Sequence, residues 1–234
     1  MMDGVVFDLD GTLLDTLDDI HEVVNRVFRS ADLPEPTREE VRFAVGRGVE
    51  HLVEKLLPEY RSDEGQLSFL AGRIREVYLE MGSVMTRPYS GIPELLRELD
   101  RRGYPMAVLT NKPQASADES VERYFGGVRF LMVRGAVEGF PLKPSPEVSI
   151  PVIRALGYPA ERIMMVGDSD VDIDTAVNAG MRAVGVSWGF RDAVLLRARG
   201  ALSIIHRPDE LLELLKRADS LSEVGSRVPE GEER

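Results

Sequence analysis

The feature that most constrains the fold is an apolar strand near the start of the chain that ends on two carboxylates. Residues 5–7 are Val-Val-Phe, and Asp8 and Asp10 follow with one residue between them, before Gly11 and Thr12. A strand that ends on a carboxylate places it at the carboxyl edge of a sheet, where open α/β folds bind ligands. Gly11 permits the tight turn that this placement requires. Taken alone, the Asp-x-Asp-Gly tetrapeptide at residues 8–11 is better explained by a solvated turn after a strand.

Three further segments carry polar side chains in a similar setting. Residues 106–109 lead into Thr110 and Asn111, and the apolar run 163–166 leads into Gly-Asp-Ser-Asp-Val-Asp. Between them, Lys143 lies in a stretch whose flanking prolines favour a rigid extended loop. Each segment by itself is explained by a helix cap or a solvated side chain. All four together, in this order, indicate one site at one edge of a sheet.

On these residues the chain resembles the haloacid dehalogenase superfamily of phosphotransferases. The four signatures of that superfamily read here as Asp8-Leu9-Asp10-Gly11-Thr12, Thr110-Asn111, Lys143-Pro144, and Gly167-Asp168 with Asp172. The resemblance extends to about Leu215. Within the superfamily the chain is most similar to the phosphoglycolate phosphatase group, through Asp15-Thr16, Asp19, Asn25, Val45 to Val49 and Thr110 to Pro113.

Helical patterns fill the long interval between the first strand and the second. An ordinary strand–helix–strand unit takes about 30 residues, whereas residues 11–104 separate these two strands. Apolar residues recur at helical spacing in three stretches of that interval, and no strand pattern interrupts them. We therefore predict a helical cap domain at residues 16–85, inserted into a core domain of residues 1–15 and 86–218. Both connections lie near the motif edge, so the cap can close over the site.

After the insertion, strands and helices alternate. Strands are predicted at 105–109, 130–133, 163–166, 183–186 and 202–205, and helices at 92–102, 114–124, 147–156, 171–179 and 208–217. This alternation predicts an α/β fold, a Rossmann-like doubly wound parallel sheet with helices on both faces. Residues 219–234 are polar and have no apolar period, which predicts a disordered tail.

Composition disfavours several classes of partner. The 234 residues include 29 Lys and Arg against 40 Asp and Glu, a net charge of −11, and there is no basic tract. A nucleic-acid or anionic-membrane partner is therefore disfavoured. The absence of cysteine excludes disulfide and thiolate chemistry. No apolar run suits a signal peptide or a membrane span, so we expect a cytoplasmic protein, either a monomer or a homodimer.

The carboxylates suit phosphoryl transfer. A carboxylate can attack phosphorus to give an aspartyl-phosphate intermediate, and we assign this role to Asp8, as the resemblance also implies. The charge of Asp8 would repel a phosphate dianion, and Mg²⁺ would relieve that repulsion. Asp8 and Asp168 would supply carboxylate oxygens to the metal, and by resemblance Asp10 would supply its backbone carbonyl. The Asp10 side chain is then free to protonate the departing alkoxide and to deprotonate the hydrolytic water.

Other polar residues are expected to bind phosphate or to orient the groups that do. Thr110 and nearby backbone N–H groups would hold phosphoryl oxygens, and Lys143 would stabilise transition-state charge. Asp172 is expected to orient Lys143 or metal-bound water. The substrate-binding set is expected to comprise Gly11, Thr12, Asn111 and Arg47. Asp170 and Asp174 are expected to be solvated or capping residues.

Substrate choice is expected to lie with the cap. Arg47, between two glycines and just before a predicted helix, would pair with a substrate carboxylate in a bidentate fork; a solvated arginine on a turn explains it equally well. Trp188 is the only tryptophan, and we expect it to pack at the core or its rim. His21 is interpreted as a surface or packing histidine.

The leading hypothesis is a Mg²⁺-dependent phosphatase for small phosphorylated metabolites, with 2-phosphoglycolate as the favoured substrate. Asp10 separates the chain from dehalogenating relatives, which lack a carboxylate at this position. The alternative enzyme is a sugar-phosphate mutase, but such relatives carry a histidine where this chain has Ile20, and His21 would face elsewhere on a helix. A catalytically silent interaction protein is disfavoured by the intact motif residues.

Overall fold

Short apolar runs that are buried along their length form the central sheet. The structure, a computed structural model, describes the backbone of residues 4–225 and the side chains of residues 4–217. In chain order the strands are β1 (Gly4–Phe7), β2 (Leu14–Asp15), β3 (Arg87–Pro88), β4 (Met106–Pro113), β5 (Phe130–Ala136), β6 (Ile163–Gly167), β7 (Arg182–Val186) and β8 (Ser203–Ile205). Within the described residues, six of them form a parallel sheet in the order β5-β4-β1-β6-β7-β8. The predicted α/β fold is confirmed.

Helices cover both faces of this sheet. They are α5 (Ile92–Arg101), α6 (Gln114–Phe125), α7 (Ser149–Leu156), α8 (Asp170–Asn178), α9 (Ala193–Ala198) and α10 (Glu210–Gly225), numbered after the four helices of the insertion. Val5 and Phe7 of β1 pack with side chains of α5, α6 and α10, whereas Val6 packs with side chains of α7, α8 and α9. Because successive strand residues point to opposite faces, one short strand contributes to both halves of the core.

Among the helices that cover the sheet, two differ from the sequence prediction by more than one or two residues. Helix α9 is an addition, and α10 continues to Gly225 beyond the expected end at Arg217. No glycine or proline interrupts residues 209–224, so nothing in the local sequence stops the helix earlier. The rest of the predicted disordered tail, residues 226–234, lies outside the described residues. Among the described helices, none combines the length and the apolar character that crossing a bilayer requires.

The insertion contains α1 (Leu17–Ser30), α2 (Arg38–Ala44), α3 (Val49–Leu56) and α4 (Glu64–Met81). Their buried apolar residues form a hydrophobic cluster separate from the two clusters of the sheet, joined by Phe190 from the core. The chain enters and leaves the insertion through β2 and β3, which pair in an antiparallel ribbon. The buried carboxylate of Asp19 accepts hydrogen bonds from the backbone N–H of Thr86 at 2.7 Å and of Met85 at 3.0 Å. The division of the chain into a core and a cap domain stays a prediction.

Candidate active site

The register of the sheet brings three of the predicted motifs to one edge. Phe7 of β1 lies opposite Val108 of β4 and Val166 of β6, so the residues that follow each strand emerge side by side. Asp8 comes directly after β1, and its backbone N–H donates to the carbonyl of Val166 at 2.9 Å. Asp8 is buried, with 7% of its surface exposed. Parallel strands that end together therefore hold the expected nucleophile in place.

Lys143 reaches this edge from the loop that follows β5. Its buried ammonium donates to Asp8 Oδ1 at 2.8 Å and to Asp172 Oδ1 at 2.6 Å. The other carboxylate oxygen of Asp172 accepts from the backbone N–H of Ser169 at 3.0 Å and from its hydroxyl at 2.6 Å. Asp172 thus links the N-terminus of α8 to Lys143, and Lys143 neutralises part of the charge of Asp8.

Asp168 is fully buried beside Asp8 and is held by neutral donors. Thr12 Oγ1 donates to Asp168 Oδ1 at 2.9 Å, and the backbone N–H of Phe190 donates to Oδ2 at 2.7 Å. Trp188 Nε1 in turn donates to the carbonyl of Thr12 at 3.0 Å, which places Trp188 at the rim of the core, as expected. Gly11 has a φ of +88°, and a Cβ there would lie 2.4 Å from Asp168 Oδ2, so only glycine fits.

These contacts give Gly11 and Thr12 a role beside Asp168, and their expected contacts with substrate stay a prediction. Gly11 and Thr12 do not line the cavity described below. The backbone N–H of Gly11 already donates to the carbonyl of Leu14 at 2.8 Å, and the Thr12 hydroxyl is taken by Asp168. Both residues position Asp168, because the loop that they form packs directly against this carboxylate.

The carboxylates of Asp8, Asp168 and Asp172 form a buried acidic cluster. One oxygen from each lies within 4.8 Å of the others. Burial raises the pKa of Asp8 to about 7, and the charge of Asp172 adds to the rise while Lys143 opposes it. Burial likewise raises the pKa of Asp168 to about 8, with Asp172 and Asp8 adding to the rise. The single positive charge of Lys143 does not balance the three carboxylates. The cluster therefore offers hard oxygen ligands and an excess of negative charge, which suit a divalent cation such as Mg²⁺.

Asp10 lies against a pair of residues that the sequence analysis did not place in the site. Lys112 Nζ donates to Asp10 Oδ1 at 3.0 Å and to the hydroxyl of Tyr78 at 2.7 Å. Burial lowers the pKa of Lys112, but the charge of Asp10 and the contact with Tyr78 outweigh it and raise the pKa above its ordinary value. Lys112 is therefore a buried cation. The only signal in the sequence was its place in Thr110-Asn111-Lys112-Pro113.

The side chain of Asn111, expected to bind substrate, makes three hydrogen bonds within the protein. Its side-chain amide donates to the carbonyl of Lys143 at 3.0 Å and to that of Gly46 in the insertion at 2.9 Å. Its side-chain oxygen accepts from the backbone N–H of Lys143 at 2.8 Å. The amide group thus ties two loops together at the cavity, which Asn111 also lines. Thr110 lines the cavity, and its hydroxyl oxygen accepts from the backbone N–H of Lys112 at 3.2 Å.

A cavity of about 190 Å³ lies between the sheet edge and the insertion. Its floor contains Asp8, Asp10, Thr110, Lys143 and Asp168. The opposite wall is mostly apolar and comes from the insertion, with Ile20, Val45, Val49, Leu52, Ile74, Tyr78 and Leu79. A charged floor facing an apolar wall suits a small ligand whose ionised group lies against the floor.

Comparison with known proteins identifies the family. The model of the haloacid dehalogenase-like hydrolases matches residues 5–186. The chain belongs to the haloacid dehalogenase-like hydrolase family. It is 32% identical over 212 residues to the phosphoglycolate phosphatase of Aquifex aeolicus, covering 90% of this chain and 95% of that one. It is also 32% identical over 218 residues to the N-acetylmuramic acid 6-phosphate phosphatase of Pseudomonas aeruginosa, covering 92% and 95%.

A solved structure shares the fold of this hydrolase over most of its length. The crystal structure of a predicted phosphoglycolate phosphatase from Haemophilus somnus 129pt superposes with a TM-score of 0.83 at 24% identity, covering 92% of this chain and 98% of that one. The predicted resemblance to phosphoglycolate phosphatases is confirmed by the sequence relatives, and the chain is a phosphoric monoester hydrolase. The alternative function, a sugar-phosphate mutase, is not favoured, because these relatives are phosphatases.

Arg47 of this hydrolase, expected either to bind a substrate carboxylate or to be solvated, lies beside a carboxylate of the sheet edge. Its guanidinium pairs with Asp170 Oδ2 at 2.7 Å, and it does not line the cavity. Asp170, expected to be solvated or capping, has only 15% of its side chain exposed and also has Arg191 at 3.8 Å. Arg191 further donates to backbone carbonyls at the end of α2, those of Arg42, Phe43 and Val45. These arginines therefore fasten the insertion to the sheet edge.

Proposed function

We propose that this hydrolase is a Mg²⁺-dependent phosphatase of small phosphorylated metabolites, with 2-phosphoglycolate as its favoured substrate. The observation that carries the proposal is the grouping of Asp8, Asp10, Lys143 and Asp168 on the floor of one small cavity. A nucleophile, a proton carrier, a fixed cation and carboxylates fit for a metal are the parts that phosphoryl transfer requires.

The metal would be held by Asp8, Asp168 and the backbone carbonyl of Asp10. Bound there, Mg²⁺ would supply positive charge that offsets the repulsion between the phosphate dianion and the buried carboxylates. Lys143 adds a fixed positive charge beside Asp8, 2.8 Å from Oδ1. Its two carboxylate partners keep it from reorienting, because moving Nζ would break contacts with both Asp8 and Asp172.

In the first step, a carboxylate oxygen of Asp8 attacks phosphorus and the bond to the leaving oxygen breaks. Asp10 transfers its proton to that oxygen, so the product leaves as a neutral alcohol group. Thr110 and backbone N–H groups at the end of β4 would hold the phosphoryl oxygens. Lys143 stabilises the charge that spreads over these oxygens in the transition state.

In the second step, the ionised Asp10 accepts a proton from a water molecule. The resulting hydroxide attacks the phosphorus of the aspartyl-phosphate and releases inorganic phosphate, which regenerates the carboxylate of Asp8. Asp10 thereby acts first as an acid and then as a base. A cap that excludes bulk water during the first step would prevent premature hydrolysis.

The substrate assignment has two supports. The relatives include phosphoglycolate phosphatases that align with 90% or more of this chain. The cavity of about 190 Å³ is also smaller than the roughly 300–1,000 Å³ typical of sites for drug-sized ligands. A two-carbon acid phosphate fits this space better than an amino-sugar phosphate.

A panel of phosphomonoesters, assayed with and without Mg²⁺, tests the proposal. We expect phosphate release that depends on Mg²⁺, with the highest kcat/KM for 2-phosphoglycolate. The panel should include N-acetylmuramic acid 6-phosphate and 4-nitrophenyl phosphate. The phosphatase assignment fails if no ester is hydrolysed with the metal present, and the substrate assignment fails if another ester in the panel is clearly preferred.

A further inference from the structure

The cations around the cavity have different partners. Among the described residues that line it, Lys143, Arg75 and Lys112 carry a permanent positive charge. Lys143 is committed to Asp8 and Asp172 on the phosphoryl side. Arg75 is ion-paired with Glu50 within the insertion, and 37% of its side chain is exposed. Lys112 has only 3% of its side chain exposed and is the cation that touches Asp10.

The position of Lys112 relative to Asp10 has a consequence for the substrate. In the proposed reaction, the Asp10 side chain hydrogen-bonds to the leaving oxygen. In 2-phosphoglycolate, one methylene joins that oxygen to the carboxyl carbon, a separation of about 2.4 Å from standard bond lengths. The substrate carboxylate must therefore lie next to the Asp10 side chain. Lys112 Nζ already lies there, 3.0 Å from Asp10 Oδ1.

We propose that Lys112, together with Tyr78, binds a substrate carboxylate that lies one carbon away from the leaving oxygen. This inference rests on the proposed function and identifies the residues that select its substrate. An ammonium can donate three hydrogen bonds, so Lys112 can keep Asp10 as one partner while it binds the carboxylate. The carboxylate joins the phenol oxygen as a further acceptor, and the Tyr78 hydroxyl, which accepts from Lys112, can donate its own proton to the carboxylate.

Tyr78 makes this recognition depend on the insertion. It lies on α4, its hydroxyl accepts from Lys112, and its ring lies under the ammonium, with Nζ 4.4 Å from the ring centroid. The ring limits the positions that the Lys112 side chain can adopt. A substrate carboxylate would therefore meet a fixed charge only when α4 is seated on the sheet edge. The same role does not suit Arg47, which is held by Asp170 outside the cavity.

Two non-hydrolysable phosphonates test the inference by binding alone. 3-Phosphonopropanoate has the shape of 2-phosphoglycolate with a methylene in place of the leaving oxygen, and propylphosphonate differs from it by a methyl group in place of the carboxylate. Their dissociation constants would be measured by calorimetry with Mg²⁺ on the full chain. We expect the wild type to bind the carboxylate compound roughly 10- to 100-fold more tightly, the usual effect of a hydrogen bond between charged groups.

Three variants assign that preference to residues. Lys112→Met should reduce it to about threefold or less, and Tyr78→Phe should reduce it by a smaller factor. Arg47→Met should keep it, which makes it the matched control. Because the preference is a ratio between two ligands, a general loosening of the site in a variant changes both constants and cancels.

Several outcomes would overturn the inference. Equal affinity of the wild type for both phosphonates would do so, as would an unchanged preference in Lys112→Met or a loss confined to Arg47→Met. If Lys112→Met does not fold, Tyr78→Phe decides the test. A wild-type ratio of the two dissociation constants in Tyr78→Phe would count against a carboxylate site formed by Lys112 and Tyr78. Hydrolysis of 4-nitrophenyl phosphate without any preference for the carboxylate compound would leave the phosphatase proposal standing. Absence of hydrolysis in the whole panel would instead remove the proposed function.

Discussion

Replacing Asn111 with alanine should destabilise the protein, because its buried side chain makes three hydrogen bonds. The amide makes three hydrogen bonds, of 2.8 and 3.0 Å to the backbone of Lys143 and of 2.9 Å to the carbonyl of Gly46. Each is worth about 1 kcal/mol net, and the buried N–H of Lys143 would lose its partner. We therefore expect the free energy of unfolding to fall by about 3 kcal/mol. With an m-value of about 3 kcal/mol per M, the urea midpoint would shift by about 1 M.

The same loop provides a matched control. Asn178 Nδ2 donates to the carbonyl of Pro144, next to Lys143, also at 2.9 Å, but this hydrogen bond is exposed to solvent. Asn178→Ala should therefore change the free energy of unfolding by no more than about 0.5 kcal/mol. Urea unfolding of both variants would be followed by circular dichroism and by the fluorescence of Trp188. Equal stability of the two variants would refute the reasoning, because it would show that the Asn111 amide does not tie the loops together.

Asp8→Asn should abolish turnover and leave the fold intact, because an amide does not attack phosphorus. Near-normal phosphate release by the folded variant would show that Asp8 is not the nucleophile. Asp10→Asn should lower kcat by roughly 10²- to 10⁴-fold while calorimetry still shows Mg²⁺ binding, since the backbone carbonyl is kept; loss of metal binding as the main effect would contradict the assigned proton transfer. Arg191→Met removes contacts of 2.6, 3.0 and 2.7 Å to carbonyls at the end of α2. We expect amide hydrogen exchange in α2 to rise by about 30-fold, equivalent to about 2 kcal/mol, and unchanged exchange would show that these contacts do not hold the helix.

The sequence by itself determined the sheet and the residues at its edge. Apolar runs that stop at Asp8, Thr110 and Asp168 predict parallel strands whose carboxyl ends meet. Periodic apolar residues between 16 and 85 predict helices, and the structure has helices there. These features are readable because they depend on local patterns: a strand or helix must bury one set of side chains at a fixed spacing. The motif residues could be grouped because the topology of a parallel sheet leaves few ways to arrange its strand ends.

Only the tertiary structure decided which polar partners these residues have. Lys112 meets Tyr78 across 34 positions of the chain, and Arg47 meets Asp170 across 123. The side-chain amide of Asn111 joins two loops, one of them in the insertion. Such contacts depend on how the helices of the insertion seat against the sheet edge, and no periodicity in the sequence records that docking. A buried polar side chain must be hydrogen-bonded, but which group becomes its partner is set by long-range packing.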